Sequence, residues 1–79
     1  KFIEVKGRSF IGEVALTSNE YKTAQRLKKD FYLYVVYNCA TQPELHIIKD
    51  PALLGWLPIV KVEQYQLKAD IIINSANKN

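Results

Sequence analysis

The sequence predicts one small α/β domain, a mixed β-sheet with one main helix. Residues 31–37, Phe-Tyr-Leu-Tyr-Val-Val-Tyr, form an unbroken aromatic and β-branched run, the composition of a strand. Thr17-Ser18-Asn19-Glu20 is a helix opening, and Tyr21, Ala24 and Leu27 follow it at three-residue steps as an apolar stripe. Short alternating segments flank both, in the order strand, short strand, helix, strong strand, hairpin strand, turn, one or two strands, which is a layered α/β arrangement. At 79 residues, 48% hydrophobic and 24% charged, the chain is long enough for one thin core.

Each element has a local cause. In residues 2–6, Ile3 and Val5 point one way and Phe2, Glu4 and Lys6 the other, and Val5 is expected to anchor the strand in the core. Gly7-Arg8-Ser9 reads as a turn, and residues 11–16 as a short extended piece interrupted by Gly12 and Glu13. Thr17 is placed to cap the first helical amides, with Glu20 three residues on to reach back. Lys22, Arg26 and Lys29 fall on another helix face, and Lys28 and Lys29 close the last turn, where cations suit the helix dipole.

Residues 31–37 are apolar on both faces, which predicts a central strand covered on both sides. Residues 38–43 are turn-rich, and residues 44–49 are expected to pair antiparallel with the strand before them. Asp50-Pro51 starts a short helical turn, with Asp as cap and Pro at the first position, and Gly55 ends it. From Ile59 an alternation runs through Val60 and Val62, slips at Glu63-Gln64 as a bulge or turn would, and resumes at Tyr65, Leu67, Ala69, Ile71 and Ile73. Periodicity does not decide whether residues 71–73 are strand or helical turn. The domain is read as residues 1–73, with residues 74–79 a polar tail expected to fray.

Charge and cysteine usage narrow the function. Eleven basic against eight acidic residues give +3, which permits a polyanionic partner without demanding one. Cys39 is the sole cysteine and His46 the sole histidine, too few for a disulfide or a zinc cluster, so a reduced, cytoplasmic setting is expected. No apolar stretch approaches a membrane span, and Glu4 interrupts what would be a leader's apolar region. The chain opens directly on a strand without Met, so it reads as a piece of a longer protein.

The chemistry lies in Glu4 and Lys6, two apart and therefore on one face of a strand. A carboxylate beside an amine suits phosphodiester hydrolysis: the carboxylate helps hold Mg²⁺, the metal polarises phosphate and generates hydroxide, and the amine orients water and stabilises developing charge. Taken alone, Glu-x-Lys on a strand is a very weak signal and reads first as an ordinary solvent-facing ion pair.

The wider pattern is Ile3-Glu4-Val5-Lys6-Gly7-Arg8, then Leu16-Thr17-Ser18-Asn19-Glu20 opening a helix that contains Ala24, then residues 31–36, then Asp50-Pro51. It resembles the domain of unknown function at the C-terminus of the plant protein NO VEIN, which also occurs in prokaryotic proteins behind helicase or ATPase regions. That family is regarded as a branch of the PD-(D/E)xK, or restriction-endonuclease-like, superfamily. The resemblance spans residues 2–51 and implies a partial restriction-endonuclease-like core, with catalytic Glu4 and Lys6, Glu4 as ligand of a Mg²⁺ cofactor, and DNA as partner. Thr17 and Asn19 fall on its helix-opening pattern, and Glu20 on the helix that packs beside the site; capping is the plainer reading of all three, and the spacing favours it for Thr17 and Glu20. The superfamily's metal-binding Asp belongs to a preceding strand that this chain lacks. Asp50 and Asp70 match no catalytic position, and Asp30 ends the helix. The site is thus expected to be incomplete here: either the parent chain supplies the missing Asp, or this is a shortened version that does something else.

Other residues carry blander readings. Arg8, Lys22 and Arg26, with Lys28 and Lys29, can face phosphates or simply solvate a helix. Tyr32, Tyr34 and Tyr37 are expected to pack the core rather than stack bases. His46 reads as structural or edge-exposed and Trp56 as packed on the sheet edge, while Ser9, Ser18 and Ser75 lack a base for nucleophilic chemistry. The chain therefore reads as a fragment of a nuclease-like domain of a larger protein, enzymatic only if completed. The alternatives are a non-catalytic nucleic-acid-binding or protein-docking module, or a structural domain whose exposed half-core makes a homodimer.

Overall fold

The computed structural model describes residues 1–59 and 64–76. It opens with strand β1 (Phe2–Gly7), then β2 (Val14–Thr17) running directly into helix α1 (Ser18–Leu27). A 3-10 turn (Lys28–Asp30) leads to β3 (Phe31–Tyr37) and β4 (Glu44–Lys49). A second 3-10 turn (Pro51–Leu53), β5 (Leu57–Ile59), β6 (Gln64–Leu67) and helix α2 (Ala69–Ala76) complete it.

The capping signature behaves as its chemistry requires. Thr17 Oγ1 accepts from the Glu20 amide at 3.1 Å while a Glu20 carboxylate oxygen accepts from the Thr17 amide at 2.8 Å, so two orphan donors of the first turn are satisfied reciprocally. At the other end Lys28 takes φ 52° and sends its amide to the Ala24 carbonyl, which closes the helix one residue before the lysine pair. Pro51 sits in the first turn of its 3-10 segment, but Asp50 does not cap it: its backbone is left-handed and its side chain makes no cap bond.

The described strands form two three-stranded sheets, β1-β3-β4 and β2-β6-β5. In the first, β1 runs parallel to β3, with Glu4 beside Leu33 and Lys6 beside Val35, and β4 runs antiparallel to β3, with His46 beside Val35. The second is antiparallel throughout. The core lies between the first sheet's inner face, the helices and the second sheet. Phe31, Leu33, Val35 and Tyr37 from β3 meet Leu16 of β2, Ala24 of α1, Leu67 of β6 and Ile72 of α2, all fully buried. α1 packs on β2, β3 and β6, and α2 on β4. Trp56 closes one side, donating from Nε1 to the Pro51 carbonyl at 2.7 Å and standing edge-on to Tyr21.

Several expectations change. Val5 does not anchor β1 in the core: it is 58% exposed, and the charged Glu4 and Lys6 face inward. β3 is central, but only Phe31, Leu33, Val35 and Tyr37 are buried; Tyr32, Tyr34 and Val36 are half-covered, so one face of the sheet is closed and the other is not. Residues 71–73 are helical, since the Ile72 amide bonds the Lys68 carbonyl and the apolar side of α2 has β4 to pack on. That helix continues through Asn74 to Ala76, residues expected to fray. The 3-10 turn ends at Leu53, ahead of Gly55. The slip expected at Glu63-Gln64 meets the described residues only at Gln64, where β6 begins; the rest lies outside them.

Candidate functional site: an acid–amine–acid cluster

β1 is the edge of its sheet, and its inward row places Glu4 and Lys6 beside the buried Leu33 and Val35 of β3. This row faces the N-terminus of α1, because β2 leads into the helix without a loop and the capping box fixes Glu20 at the third helical position. Lys6 Nζ donates to Glu20 Oε1 at 3.0 Å and stands 3.8 Å from Glu4 Oε2. All three side chains are roughly three-quarters covered, so the charges interact through a medium less polar than bulk water.

The two carboxyls are driven apart in acidity. Burial pushes Glu4 above its ordinary value of 4.5; the neighbouring Glu20 charge and a hydrogen bond shared with Glu20 add to this, and they outweigh the pull of Lys6. Burial also pushes Glu20 upward, but the Thr17 amide and the hydrogen bond and charge of Lys6 overcome it and hold that carboxyl below 4.5. Glu20 is therefore the committed anion that neutralises Lys6, and Glu4 is the carboxyl on which a proton or a cation is most favourably placed.

The remaining candidates are distributed unevenly. Arg8 is two residues beyond Lys6, where its amide extends the strand ladder to the Val36 carbonyl at 2.9 Å. Its exposed side chain lies over Gly12, close enough that a Cβ there would sit 3.2 Å from Nε, and near Tyr37. Lys22 and Arg26 are exposed on α1, two and six residues after Glu20, which at about 100° per residue places both on the side away from the cluster. Thr17 acts on the helix end, and Asn19 is exposed in the first turn, its carbonyl accepting from Thr23 Oγ1 at 2.9 Å.

No downstream aspartate reaches the cluster. Asp30 immediately precedes Phe31, which pairs with Phe2 and so lies at the far end of β1 from Lys6. Asp50 bonds through its amide to the Phe31 carbonyl at that same end, and Asp70 is exposed on α2. Among the described residues no three His, Cys, Asp or Glu side chains stand together as a metal site.

Sequence reasoning did not find the tie made by Tyr37, whose hydroxyl, buried with its ring, donates to the Gly12 carbonyl at 2.7 Å and pins the segment between β1 and β2. Nothing in the local pattern marks it, because its partner is 25 residues away. His46 is buried on β4, its ring edge against Tyr37 and its Nε2 3.8 Å from Glu44 Oε1 without a hydrogen bond. No helix among the described residues is long and apolar enough to cross a membrane.

Comparison with known proteins supplies one match. A family profile described as "Protein NO VEIN, C-terminal" covers residues 1–48, from β1 through nearly all of β4, and so contains Glu4, Lys6 and Glu20. No curated protein and no solved structure matches the chain.

Proposed function

The chain belongs to the NO VEIN C-terminal family, and from that premise we propose that Glu4, Lys6 and Glu20 form the acid–amine part of a nuclease site of the restriction-endonuclease-like kind, directed at DNA phosphodiesters. The observation that carries this reading is Lys6 Nζ held 3.0 Å from Glu20 and 3.8 Å from Glu4 on a three-quarters-covered strand face. An amine positioned in this way donates hydrogen bonds to a phosphate oxygen or an attacking water and opposes the charge that develops there. Glu20 keeps that amine aimed, through the 3.0 Å hydrogen bond. Glu4, with its raised pKa, is the group able to take a proton or a hard cation.

The donors fit Mg²⁺ in type: Glu4 and Glu20 offer oxygen ligands only, and this ion takes one or two protein carboxylates together with waters and phosphate. Crowding of like charge at Glu4 is what such a cation relieves. Glu4 would be the main ligand, and a bound Mg²⁺ would supply polarisation of the phosphate and acidification of a water. Asp30, Asp50 and Asp70 stand elsewhere and no third carboxylate joins Glu4 and Glu20 among the described residues, so the proposed site draws a further carboxylate from a longer parent chain. The active unit is then a larger, cytoplasmic protein of helicase or ATPase type in which this chain is one part. Arg8 is the basic residue nearest the cluster along the strand, and Lys22 with Arg26 would contact phosphates as a separate, salt-sensitive surface.

A second reading is favoured by one detail. Glu20 Oε1 serves both the Thr17 amide and Lys6 Nζ, so the same contacts make a latch that holds α1 to β1 without chemistry. The domain would then be a non-catalytic module for nucleic acid or protein. The separating experiment uses the full-length protein that carries this chain, assayed for metal-dependent DNA cleavage with Lys6→Ala and Glu4→Gln. The nuclease reading expects cleavage to fall by about 10²-fold or more in each variant while DNA binding persists; cleavage that is absent, or indifferent to both substitutions, favours the latch.

A further inference from the structure

The segment between β1 and β2, residues 8–13, leaves the sheet two residues after Lys6 and returns into the strand that opens α1. Both of its arms are tied down. The Arg8 amide donates to the Val36 carbonyl at 2.9 Å, and the Arg8 carbonyl accepts from the Cys39 amide at 3.1 Å. On the other arm the Gly12 carbonyl accepts from the Tyr37 hydroxyl at 2.7 Å. The Arg8 guanidinium lies across Gly12 so closely that a Cβ there would stand 3.2 Å from Nε and 3.3 Å from Nη2, and it closes the neck of the loop. What this fixed neck holds up is apolar: Phe10 is 77% and Ile11 49% exposed. Burying a phenylalanine is among the larger hydrophobic gains a side chain offers, and this one forgoes most of it. Among the described residues Phe10 stacks on no ring, whereas Phe2, Tyr21, Tyr37, Tyr65 and Trp56 each meet another.

We propose that residues 8–13 form a stacking finger on which Phe10 takes one unpaired nucleobase of the strand engaged at the Glu4–Lys6–Glu20 cluster. The proposal rests on the reading of that cluster as a nucleic-acid site. Size selects the occupant. The two side chains expose on the order of 250 Å², well short of the roughly 800 Å² that a partner protein or a second copy needs from each side. One ring fits one base, and a base stacks on an aromatic through its π-face whatever its identity.

Charge does not select the occupant, because Arg8 and Glu13 are both exposed and balance each other within the loop. That balance also argues against a lipid-inserting tip, which draws on surrounding cations to reach an anionic surface. Position and rigidity favour the base. The finger begins two residues beyond Lys6, and Phe10 is at most about 7 Å of chain from Arg8. A ring presented on a tied neck is ordered before it binds, so little conformational freedom is lost on stacking.

The test is an NMR titration of the isotopically labelled 79-residue chain with a single DNA strand of about eight nucleotides, beside an abasic strand of the same length. The base-bearing strand should move the Phe10 ring protons upfield, and the abasic strand should leave them in place. Phe10→Ala, at an exposed position, should weaken binding about tenfold with the unfolding midpoint unchanged, and Phe10→Trp should restore it. Equal shifts from both strands would overturn the finger by reducing the loop to a phosphate contact. Shifts confined to Lys6, Lys22 or Arg26 would overturn it while leaving the nucleic-acid reading of the cluster standing, and no shift anywhere at about 1 mM strand would remove both. Loss of the Phe10 and Ile11 signals to phosphatidylcholine vesicles, with none to the strand, would overturn it by naming a lipid surface as the occupant.

Discussion

Lys6 and Glu20 meet at 3.0 Å although 14 residues separate them, and this bond joins the edge strand to the first turn of the helix that follows it. Glu20 is also half of the capping box, so one carboxylate oxygen reports on helix initiation, on strand–helix docking and on the position of the Lys6 amine. Disturbing any one of the three should be felt by the other two.

Thr17→Ala removes the acceptor for the Glu20 amide and should lower stability by about 1 kcal/mol, or about 4–8 °C in melting temperature. Combined with Glu20→Gln the losses should not add, because both act on one hydrogen-bonded unit. Urea midpoints of the two single variants and the double variant check this, and simple additivity would show that the cap and the Lys6 contact are independent.

The two glutamates should pull stability in opposite directions with pH. Glu4 is held above 4.5, so the folded chain binds its proton more tightly than the unfolded chain, and stability falls as pH rises through that interval. Glu20 is held below 4.5, so its contribution is complete above that value and is lost as pH falls through the lowered one. Near neutral pH, Glu4→Gln should then raise stability by a few tenths of a kcal/mol and Glu20→Gln should lower it by about 1 kcal/mol. Denaturation at pH values on either side of 4.5 reads both signs.

Tyr37→Phe should cost about 1 kcal/mol, because it leaves the Gly12 carbonyl without its partner while preserving ring packing. Hydrogen exchange should quicken between β1 and β2, and unchanged protection there would show that the hydroxyl does not hold that segment.

Lys28 carries φ 52° and ψ −118° at the helix end, a conformation that a side chain disfavours. Lys28→Gly should raise stability by about 1 kcal/mol. A loss would mean that the lysine's charge at the helix terminus outweighs the relief of strain.

Where local chemistry decided the structure, the sequence was a sufficient guide. Thr17 and Glu20 at capping-box spacing, the β-branched and aromatic run of β3, and its hairpin with β4 depend on neighbours in the chain. The face that β1 turns to the core was not legible. Ile3 and Val5 alternate with Phe2, Glu4 and Lys6, and alternation says only that the two rows oppose; the helix that covers one row decides which is inside. The pairing of β2 with β6 was hidden because Leu16 and Tyr65 are far apart in the chain. Residues 71–73 are three isoleucines whose pattern fits strand or helix alike, and packing against β4 resolved it. For the site, Glu4 and Lys6 were legible from spacing and Glu20 from its helix. Lys22 and Arg26 were grouped with Arg8 by charge alone, and the turn of the helix separates them from it.

On its own the 79-residue chain should not cleave DNA with Mg²⁺, since among the described residues no further carboxylate joins the cluster. Cleavage by the purified chain, abolished by Lys6→Ala, would show the site to be complete after all.

The most direct test of the cluster as a cation-assisted site is paramagnetic broadening of the chain's NMR signals by Mn²⁺. Broadening should centre on Glu4 and spread to Lys6, Thr17 and Glu20, and it should vanish in Glu4→Gln while that variant stays folded. Broadening centred instead on Asp30 or Asp70, or unchanged in Glu4→Gln, would contradict the account.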